Sequence, residues 1–294
     1  MTVQWNEHAL KTAKYTLMSK TRSLSFGRYL YLLQIACAKE GEEQEQVWLK
    51  GQRKNTGGFA HAEQGFLQEL FLYQQWPAYS PSFLLPYQIV SIDQMNLRPV
   101  NASRTQPDDV LQIEQLYPQF LLLPHAQSAF VQNPNQLSRN DITSIILQAV
   151  NALEQLAALG YLHADVKAEH FLSYEGQVRL IDFEQSIPIN SEMIPSMNAT
   201  PRYMAPELFH GQAKSVQSDI YALGIVLLEW LSGRRLNANS YEEWAYLHCQ
   251  RLIIDLPELF RNFLPLLQGM LMKQKTQRMR DFSQIKACLI AENA

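Results

Sequence analysis

Two aspartates, Asp165 and Asp182, lie on either side of a short hairpin-like segment in the stretch GYLHADVKAEHFLSYEGQVRLIDFEQS. Lys167 follows the first aspartate by two positions. Phosphoryl transfer asks a protein for positioning and charge neutralisation rather than for covalent chemistry, and carboxylates with a lysine can supply both. The stretch therefore makes phosphoryl transfer a candidate reaction, which the rest of the chain must support or oppose.

The composition is that of a globular protein with no strong charge bias. Of the 294 residues, 47% are hydrophobic and 18% are charged, which excludes a disordered chain and allows one large or two modest domains. The formal net charge of −3 provides no global basic field, so the sequence argues against a nucleic-acid partner and against binding to an acidic membrane surface.

The cysteines and the apolar stretches indicate a cytoplasmic protein. Cys37, Cys249 and Cys288 are few and far apart, which predicts reduced thiols rather than disulfides or a zinc site. The N-terminus lacks the apolar run of a signal peptide. The longest apolar stretch, IYALGIVLLEWL, is shorter than the roughly 20 residues that a bilayer requires, so we expect a buried helix there.

The first part of the chain is predicted to be rich in strands. Hydrophobic periodicity indicates one helix over residues 59–76, with Phe66, Leu67, Leu70 and Phe71 at helical spacing and Pro77 at its end. A polar insertion at 97–109 is rich in loop formers. The predicted strands cover residues 28–38, 45–52, 82–93 and 118–127.

The character of the chain changes near residue 124, after which helical patterns dominate. Residues 138–160 predict a long amphipathic helix, with Asn140 or Asp141 as its N-cap and Gly160 at its end. A β-hairpin is expected over 171–183. A cleft between two such lobes is a candidate ligand site.

Several motifs then occur in the order found in one family. The chain resembles the eukaryotic-type serine/threonine protein kinases through the motifs VWLK, HADVKAEH, DFE, ATPRYMAPE and SDIYALGIVLLEWLSG. The resemblance implies an α+β, bilobal protein-kinase-like fold in one domain, 1–294. Its N-lobe, 1–124, would hold a small antiparallel β-sheet with one main helix, and its C-lobe, 125–294, would be larger and mainly α-helical.

The resemblance also implies roles for the polar residues. Lys50 would bind the α- and β-phosphates of ATP and would be held by Glu69, with Glu63 as the alternative partner. Asp165 would orient the attacking hydroxyl and accept its proton, and Lys167 would steady the γ-phosphate. A lysine at that position is similar to the serine/threonine branch of the family.

The metal site implied by the resemblance departs from the family pattern at two positions. Asp182 would bind the Mg²⁺ that bridges the phosphates. His170 stands where the family has an asparagine that helps to hold a second ion, and imidazole favours Mn²⁺ more than a carboxamide does. Glu184 stands in place of a glycine and is interpreted either as an extra metal ligand or as a solvated or arginine-paired side chain.

Other residues match positions that hold the substrate platform and the fold. Thr200 is similar to the threonine that hydrogen-bonds the catalytic aspartate and lysine, and the TPRYMAPE stretch favours a protein substrate over a small molecule. Glu207 is expected to pair with Arg278, and Asp219 to anchor the backbone of the catalytic loop. His163 and Phe183 are expected to stack in an internal apolar column.

The nucleotide site shows further departures from the family. In TRSLSFGRY only Gly27 matches the glycine-rich loop, since Arg22 and Leu24 occupy the other two glycine positions. Strand alternation places Trp48 on the same face as Lys50, where the family has a small alanine against the adenine ring. Ala164 replaces the arginine that grips a phosphorylated activation segment, so we expect activity to be independent of such phosphorylation.

Three hypotheses follow for the function. The first is an ATP-dependent serine/threonine protein kinase that uses Mg²⁺, with Mn²⁺ as an alternative metal, and that acts on a protein substrate. The second is a catalytically weak pseudokinase that acts as a binding scaffold. The third is a related transferase that moves a different group. The sequence does not specify an oligomeric state.

Overall fold

The computed structural model describes residues 5–19, 23, 26–35, 45–54, 60–76, 81–97, 115–191 and 200–291. Arg22, Leu24, Cys37, Pro77 and nearly all of the polar insertion at 97–109 lie outside these ranges. The chain divides into two compact units. The first comprises residues 1–80 and 85–126, and the second comprises 81–84 and 127–294.

The first unit is built on a five-stranded antiparallel sheet with the strand order β1-β2-β3-β5-β4. Residues with β-branched, aromatic or leucine side chains alternate along these strands, as a sheet with one buried face requires. The strands are β1 Lys14–Leu17, β2 Arg28–Ile35, β3 Glu45–Gln52, β4 Gln88–Ser91 and β5 Gln119–Pro124.

The two faces of this sheet differ in character. One face packs into the hydrophobic core of the unit through side chains that include Tyr31, Val47 and Phe120. Successive side chains of β3 point in opposite directions, so Trp48 and Lys50 lie on the opposite face. Both of these residues are half-buried. The alternation expected for β3 is therefore present.

In the described part of this unit, two α-helices accompany the sheet, Glu7–Thr12 and Ala60–Gln75. The second is the helix predicted over 59–76. Phe66 and Leu70 are buried in it, whereas Leu67 and Phe71 are exposed, so only half of the apolar side chains at helical spacing enter the core.

The predicted strand at 82–93 is wrong in its first half. Only Gln88–Ser91 forms a strand, and residues 81–84 belong to the second unit rather than to the N-terminal part. The reason is a long-range contact, because the Leu180 amide donates to the carbonyl of Phe83 at 2.7 Å and the Phe83 ring packs edge-on against Phe183.

The second unit is mainly helical and contains a 20-residue helix, Arg139–Ala158. Ser138 caps this helix and forms a capping box with Asp141, so the expected cap at Asn140 or Asp141 is corrected. The helix ends next to Gly160, whose φ of +85° places it in the left-handed region that favours glycine.

Short strands and helices complete the second unit. The predicted hairpin is formed by β8 Phe171–Tyr174 and β9 Gln177–Leu180. Strand β6 Gln127–Ser128 pairs with β8, and β7 Tyr161–Leu162 pairs with β10 Ile187–Pro188. Further helices are Pro206–Phe209, Val216–Ser232, Tyr241–Tyr246, Leu264–Met270 and Phe282–Ala291.

The apolar stretch identified in the sequence is the helix Val216–Ser232, which is buried along most of its length. Gly224 allows this close packing, since a Cβ atom there would lie 2.8 Å from Leu271 Cδ2. Among the helices that the structure describes, none combines the length and the hydropathy needed to cross a membrane. The expected fold class, an antiparallel sheet in the N-terminal part and helices in the C-terminal part, is confirmed.

Candidate active site

In the first unit, β3 and the helix Ala60–Gln75 place a lysine against a glutamate. Lys50 Nζ donates to Glu69 Oε2 at 2.6 Å, and the Glu69 side chain is almost completely buried. Glu63, the alternative, instead accepts a hydrogen bond from the Tyr117 hydroxyl. That bond, with burial, raises the pKa of Tyr117 to about 12. The pair chosen from the 19-residue spacing is therefore the one that forms.

Two other residues expected at a nucleotide site lie in the same unit. The indole of Trp48 packs against the imidazole of His125, with 5.8 Å between the ring centroids. Gly27 has a φ of +74°, and its carbonyl accepts a hydrogen bond from the Arg53 amide at 2.8 Å. The structure thus shows why a glycine is favoured at position 27, while Arg22 and Leu24 lie outside the described residues.

In the second unit, the loop after β7 carries the first aspartate of the pair. Lys167 Nζ lies 3.1 Å from Asp165 Oδ2, and both side chains are partly accessible. A carboxylate and an ammonium group are therefore held together in this loop.

The backbone of this loop is held in a strained conformation by buried partners. Ala164 has a φ of +64°, which is costly for a residue with a side chain. Asp219 accepts hydrogen bonds from the His163 amide at 2.8 Å and from the Ala164 amide at 3.0 Å. Burial raises the pKa of Asp219 to about 6, and the two amides and Lys214 oppose that shift. The expected anchoring by Asp219 is confirmed.

Lys214 is a further anchor that the sequence reasoning missed. Its Nζ donates to the Ala164 carbonyl at 2.6 Å, so both polar backbone groups of Ala164 have a fixed partner. Burial lowers the pKa of Lys214. Its proximity to Asp219 along the chain was the only available signal.

The second aspartate faces a histidine. His170 Nε2 lies 3.0 Å from Asp182 Oδ2. His170 Nδ1 lies 2.9 Å from the carbonyl oxygen of Asp165, and because a carbonyl only accepts, Nδ1 must carry the hydrogen. The Nε2 atom is therefore the one directed at Asp182, which itself adopts a left-handed conformation with a φ of +65°.

These groups fit a divalent cation. Asp165, His170 and Asp182 each offer one ligand atom, and these atoms all lie within 4.8 Å of one another. Two neighbouring ligand atoms on an octahedral cation at about 2.1 Å are themselves about 3 Å apart, which matches the distance from His170 Nε2 to Asp182 Oδ2. Mixed oxygen and imidazole ligands suit Mn²⁺ and other transition ions better than they suit Mg²⁺.

The rings beside this site are structural. His163 is completely buried, lies 5.6 Å from Phe183 and 5.4 Å from His170 between ring centroids, and burial lowers its pKa to about 4. Phe183 also packs on Phe83, so the expected internal column is present. Glu184 is buried, which excludes the solvated interpretation of this residue.

Thr200 and the Glu207–Arg278 pair complete the set of predicted residues. Thr200 is exposed and lines a surface depression together with Lys167, and no hydrogen bond joins it to Asp165 or Lys167 in the part of the chain that is described. Arg278 forms two hydrogen bonds with the Glu207 carboxylate, at 2.7 and 2.8 Å, in a buried environment. The expected pair is confirmed.

The chain is similar in sequence to one protein family and to several known proteins. A family model described as the protein kinase domain matches residues 119–288. Human Citron Rho-interacting kinase is 28% identical over 156 residues, which cover 48% of this chain and 8% of that protein. Human serine/threonine-protein kinase PAK 4 is 31% identical over 144 residues, which cover 46% of this chain and 24% of that protein.

A bacterial relative shows the same level of similarity. The probable serine/threonine-protein kinase PknB of Lactococcus lactis is 29% identical over 109 residues, which cover 36% of this chain and 17% of that protein. The matched regions therefore span less than a quarter of the length of these three relatives.

Proposed function

Because this chain belongs to the protein kinase family, we propose that it is an active serine/threonine protein kinase that transfers a phosphoryl group from ATP to a protein hydroxyl. The observation that carries the proposal is the convergence of Asp165, His170 and Asp182 within 4.8 Å beside Lys167. We further propose that the chain acts as one kinase domain, in the cytoplasm.

Each residue has a separate part in the proposed reaction. Asp165 orients the acceptor hydroxyl and accepts its proton, and Lys167 neutralises charge on the transferred phosphoryl group. Lys50, fixed by Glu69, holds the α- and β-phosphates. When bound, a divalent cation supplies charge neutralisation between the phosphates, and Asp182 and His170 would hold it. Thr200 lies at the edge of the site, where a peptide would be placed.

The test is transfer of labelled phosphate. The purified chain is incubated with γ-labelled ATP and a generic acceptor protein, with either Mg²⁺ or Mn²⁺, beside Asp165→Asn and Asp182→Asn variants. We expect the unmodified chain to transfer more label to the acceptor protein than either variant does. Label at the level of the variants in both metals would overturn the proposal.

A second candidate function, a binding scaffold with little or no activity, is favoured by Trp48. The indole lies on the face of β3 that carries Lys50. The family has a small alanine against the adenine ring at this position, so the indole would compete with an adenine ring for space. Since a ligand that binds only the folded state raises the unfolding temperature, stabilisation by ATP without label transfer would support the scaffold.

Replacing Trp48 by alanine is expected to tighten nucleotide binding by about tenfold, because the indole no longer occupies part of the base site. The measurement is isothermal titration with a non-hydrolysable ATP analogue. Trp48→Phe should give an intermediate affinity. Unchanged or weaker binding by Trp48→Ala would show that the indole does not obstruct the base.

Replacing His170 by asparagine is expected to weaken Mn²⁺ binding by about tenfold, since an imidazole nitrogen is lost from the ligand set. Free Mn²⁺ is measured by electron paramagnetic resonance during titration with MnCl₂, which requires no catalysis. His210→Asn is the matched control, because His210 lies beside Cys249 rather than at the site. Equal Mn²⁺ affinities for the two variants would exclude His170 as a ligand.

A further inference from the structure

Lys214 reaches the loop that carries Asp165 from a distant part of the sequence. It precedes the buried helix Val216–Ser232 by two residues and is itself half-buried. Its Nζ atom donates to the Ala164 carbonyl at 2.6 Å, across 50 residues of sequence. These residues line one narrow recess of the second unit together with Asp219. The ammonium group is therefore fixed against the residue that precedes Asp165.

Ala164 needs support from outside the loop, because its φ of +64° lies in the left-handed region, which is costly for a residue with a Cβ atom. Its amide donates to Asp219 Oδ1 at 3.0 Å, and its carbonyl accepts from Lys214. A peptide group is planar, so the Ala164 carbonyl oxygen and the Asp165 amide lie in one rigid plane. By holding that oxygen, Lys214 fixes the plane from which the Asp165 side chain departs.

Lys214 also brings a positive charge to two carboxylates. Burial raises the pKa of Asp219 to about 6, the charge of Asp165 raises it further, and Lys214 opposes both effects. Burial lowers the pKa of Lys214, and the two carboxylates oppose that shift. Ala164 stands where the family has an arginine, so this loop receives a positive charge from Lys214 rather than from its own residue 164.

We propose that Lys214 is a positioning residue, which holds the loop in the conformation that directs the Asp165 carboxylate at the acceptor hydroxyl of the proposed reaction. It acts through Ala164 and does not touch the reacting atoms. The ammonium group belongs to the folded chain itself, so the loop is held without a phosphate group on a neighbouring segment. Because misplacement of a reacting group by about 1 Å can cost about 100-fold in rate, loss of this contact affects the chemistry without removing a group that performs it.

Hydrogen exchange tests the support of the loop without catalysis. Peptic fragments that cover residues 162–167 and the helix Arg139–Ala158 are followed by mass spectrometry. Lys214→Met removes the donor and the charge, so we expect the 162–167 fragment to exchange about three- to tenfold faster while the helix is unchanged. Lys214→Arg keeps a donor and a charge and should stay within about twofold of the unmodified chain.

Lys273→Met is the matched control for this measurement. Lys273 Nζ also donates to a main-chain carbonyl, that of Gln250, at 2.6 Å, but it does so at an exposed position. We expect this variant to leave the exchange of the 162–167 fragment unchanged.

The kinetics of label transfer test the consequence for the reaction, and this part of the inference rests on the proposed function. We expect kcat of Lys214→Met to fall by about 10- to 100-fold. The KM for ATP should stay within about twofold, because Lys50 and Glu69, which hold the phosphates in the proposed reaction, are not altered. Lys214→Arg should recover most of the rate, and Lys273→Met should retain all of it.

Two results would overturn the inference. One is a 162–167 fragment that exchanges at the same rate in Lys214→Met and Lys273→Met, and the other is an unchanged kcat for Lys214→Met beside an active unmodified chain. If Lys214→Met does not fold, Lys214→Gln, which keeps a neutral donor, takes its place in both measurements. If the unmodified chain transfers no label but the fragment exchanges faster in Lys214→Met, the proposed function is wrong and the support of the loop by Lys214 stands.

Discussion

Replacing Asp165 by asparagine is expected to lower phosphoryl transfer by roughly 10²–10⁴-fold, the range over which general acid–base groups contribute. An amide keeps the size of the side chain but cannot accept a proton from the attacking hydroxyl. The Asp165 carboxylate is partly accessible and already contacts Lys167, so it is in place to do both tasks that the proposal assigns to it. The measurement is the initial rate of label transfer at saturating ATP.

The control for this prediction is Asp255→Asn, which removes a carboxylate from the surface of the same unit. Asp255 is 66% exposed and pairs only loosely with Arg234, at 3.5 Å. We expect Asp255→Asn to retain the wild-type rate. Equal rates for the two variants would show that Asp165 takes no part in the reaction. A large fall in the unfolding temperature of Asp165→Asn would show that its loss of activity comes from a loss of stability.

Replacing Arg278 by methionine is expected to lower the free energy of unfolding by about 3–5 kcal/mol, because the change leaves the Glu207 carboxylate buried without its partner. The two side chains are 0% and 3% exposed. Arg278 also donates to the carbonyls of Met272 and Gln217 and lies over the Tyr221 ring. The measurement is urea unfolding followed by circular dichroism.

The matched control is Arg261→Met, which breaks the exposed pair between Arg261 and Glu258. These side chains are 64% and 81% exposed, and Arg261 Nη1 lies 2.8 Å from Glu258 Oε2. Because an exposed pair contributes little, the free energy of unfolding should change by no more than about 0.5 kcal/mol. A similar loss of stability in both variants would show that burial does not increase the contribution of the Glu207–Arg278 pair to the free energy of unfolding.

The same pair also predicts a pH dependence. Burial alone would raise the pKa of Glu207, but the hydrogen bonds and the charge of Arg278 outweigh it and lower the pKa below the ordinary value of 4.5. A carboxyl whose pKa is lower in the folded state stabilises the protein fully above that ordinary value. This contribution is lost as the pH falls through the lowered pKa. The wild type should therefore lose more stability than Arg278→Met between about pH 5 and pH 3.

The sequence predicted the parts of the site that depend on short motifs. Lys167 follows Asp165 by two residues, so the motif keeps both residues in one loop, and the structure adds the contact between their side chains. The spacing from Lys50 to Glu69 identified the partner of Lys50 less directly, because Glu63 lies on the same helix. Only the structure excludes Glu63, by showing that its carboxylate is engaged by Tyr117.

Two of the failures of prediction, the start of the strand at residue 82 and the role of Lys214, come from contact between distant parts of the chain. The predicted strand began at residue 82 because Phe83, Leu84 and Leu85 are apolar, yet the Phe83 carbonyl pairs with the Leu180 amide almost a hundred residues away. The cap of the long helix was misplaced by a local ambiguity, since Ser138 and Asp141 both favour caps and form one together. Lys214 could not be found by motif, because its partner is a backbone carbonyl at position 164.

By itself, the sequence determined the family, the fold class and the identities of the candidate catalytic residues. These are set by motifs and periodicities that act over a few residues at a time. The tertiary structure alone decided which polar groups meet: Asp182 with His170, Glu63 with Tyr117, and Lys214 with the carbonyl of Ala164. The physical reason is that electrostatic and hydrogen-bonding energies depend on distances of a few ångströms between side chains, and only packing fixes those distances.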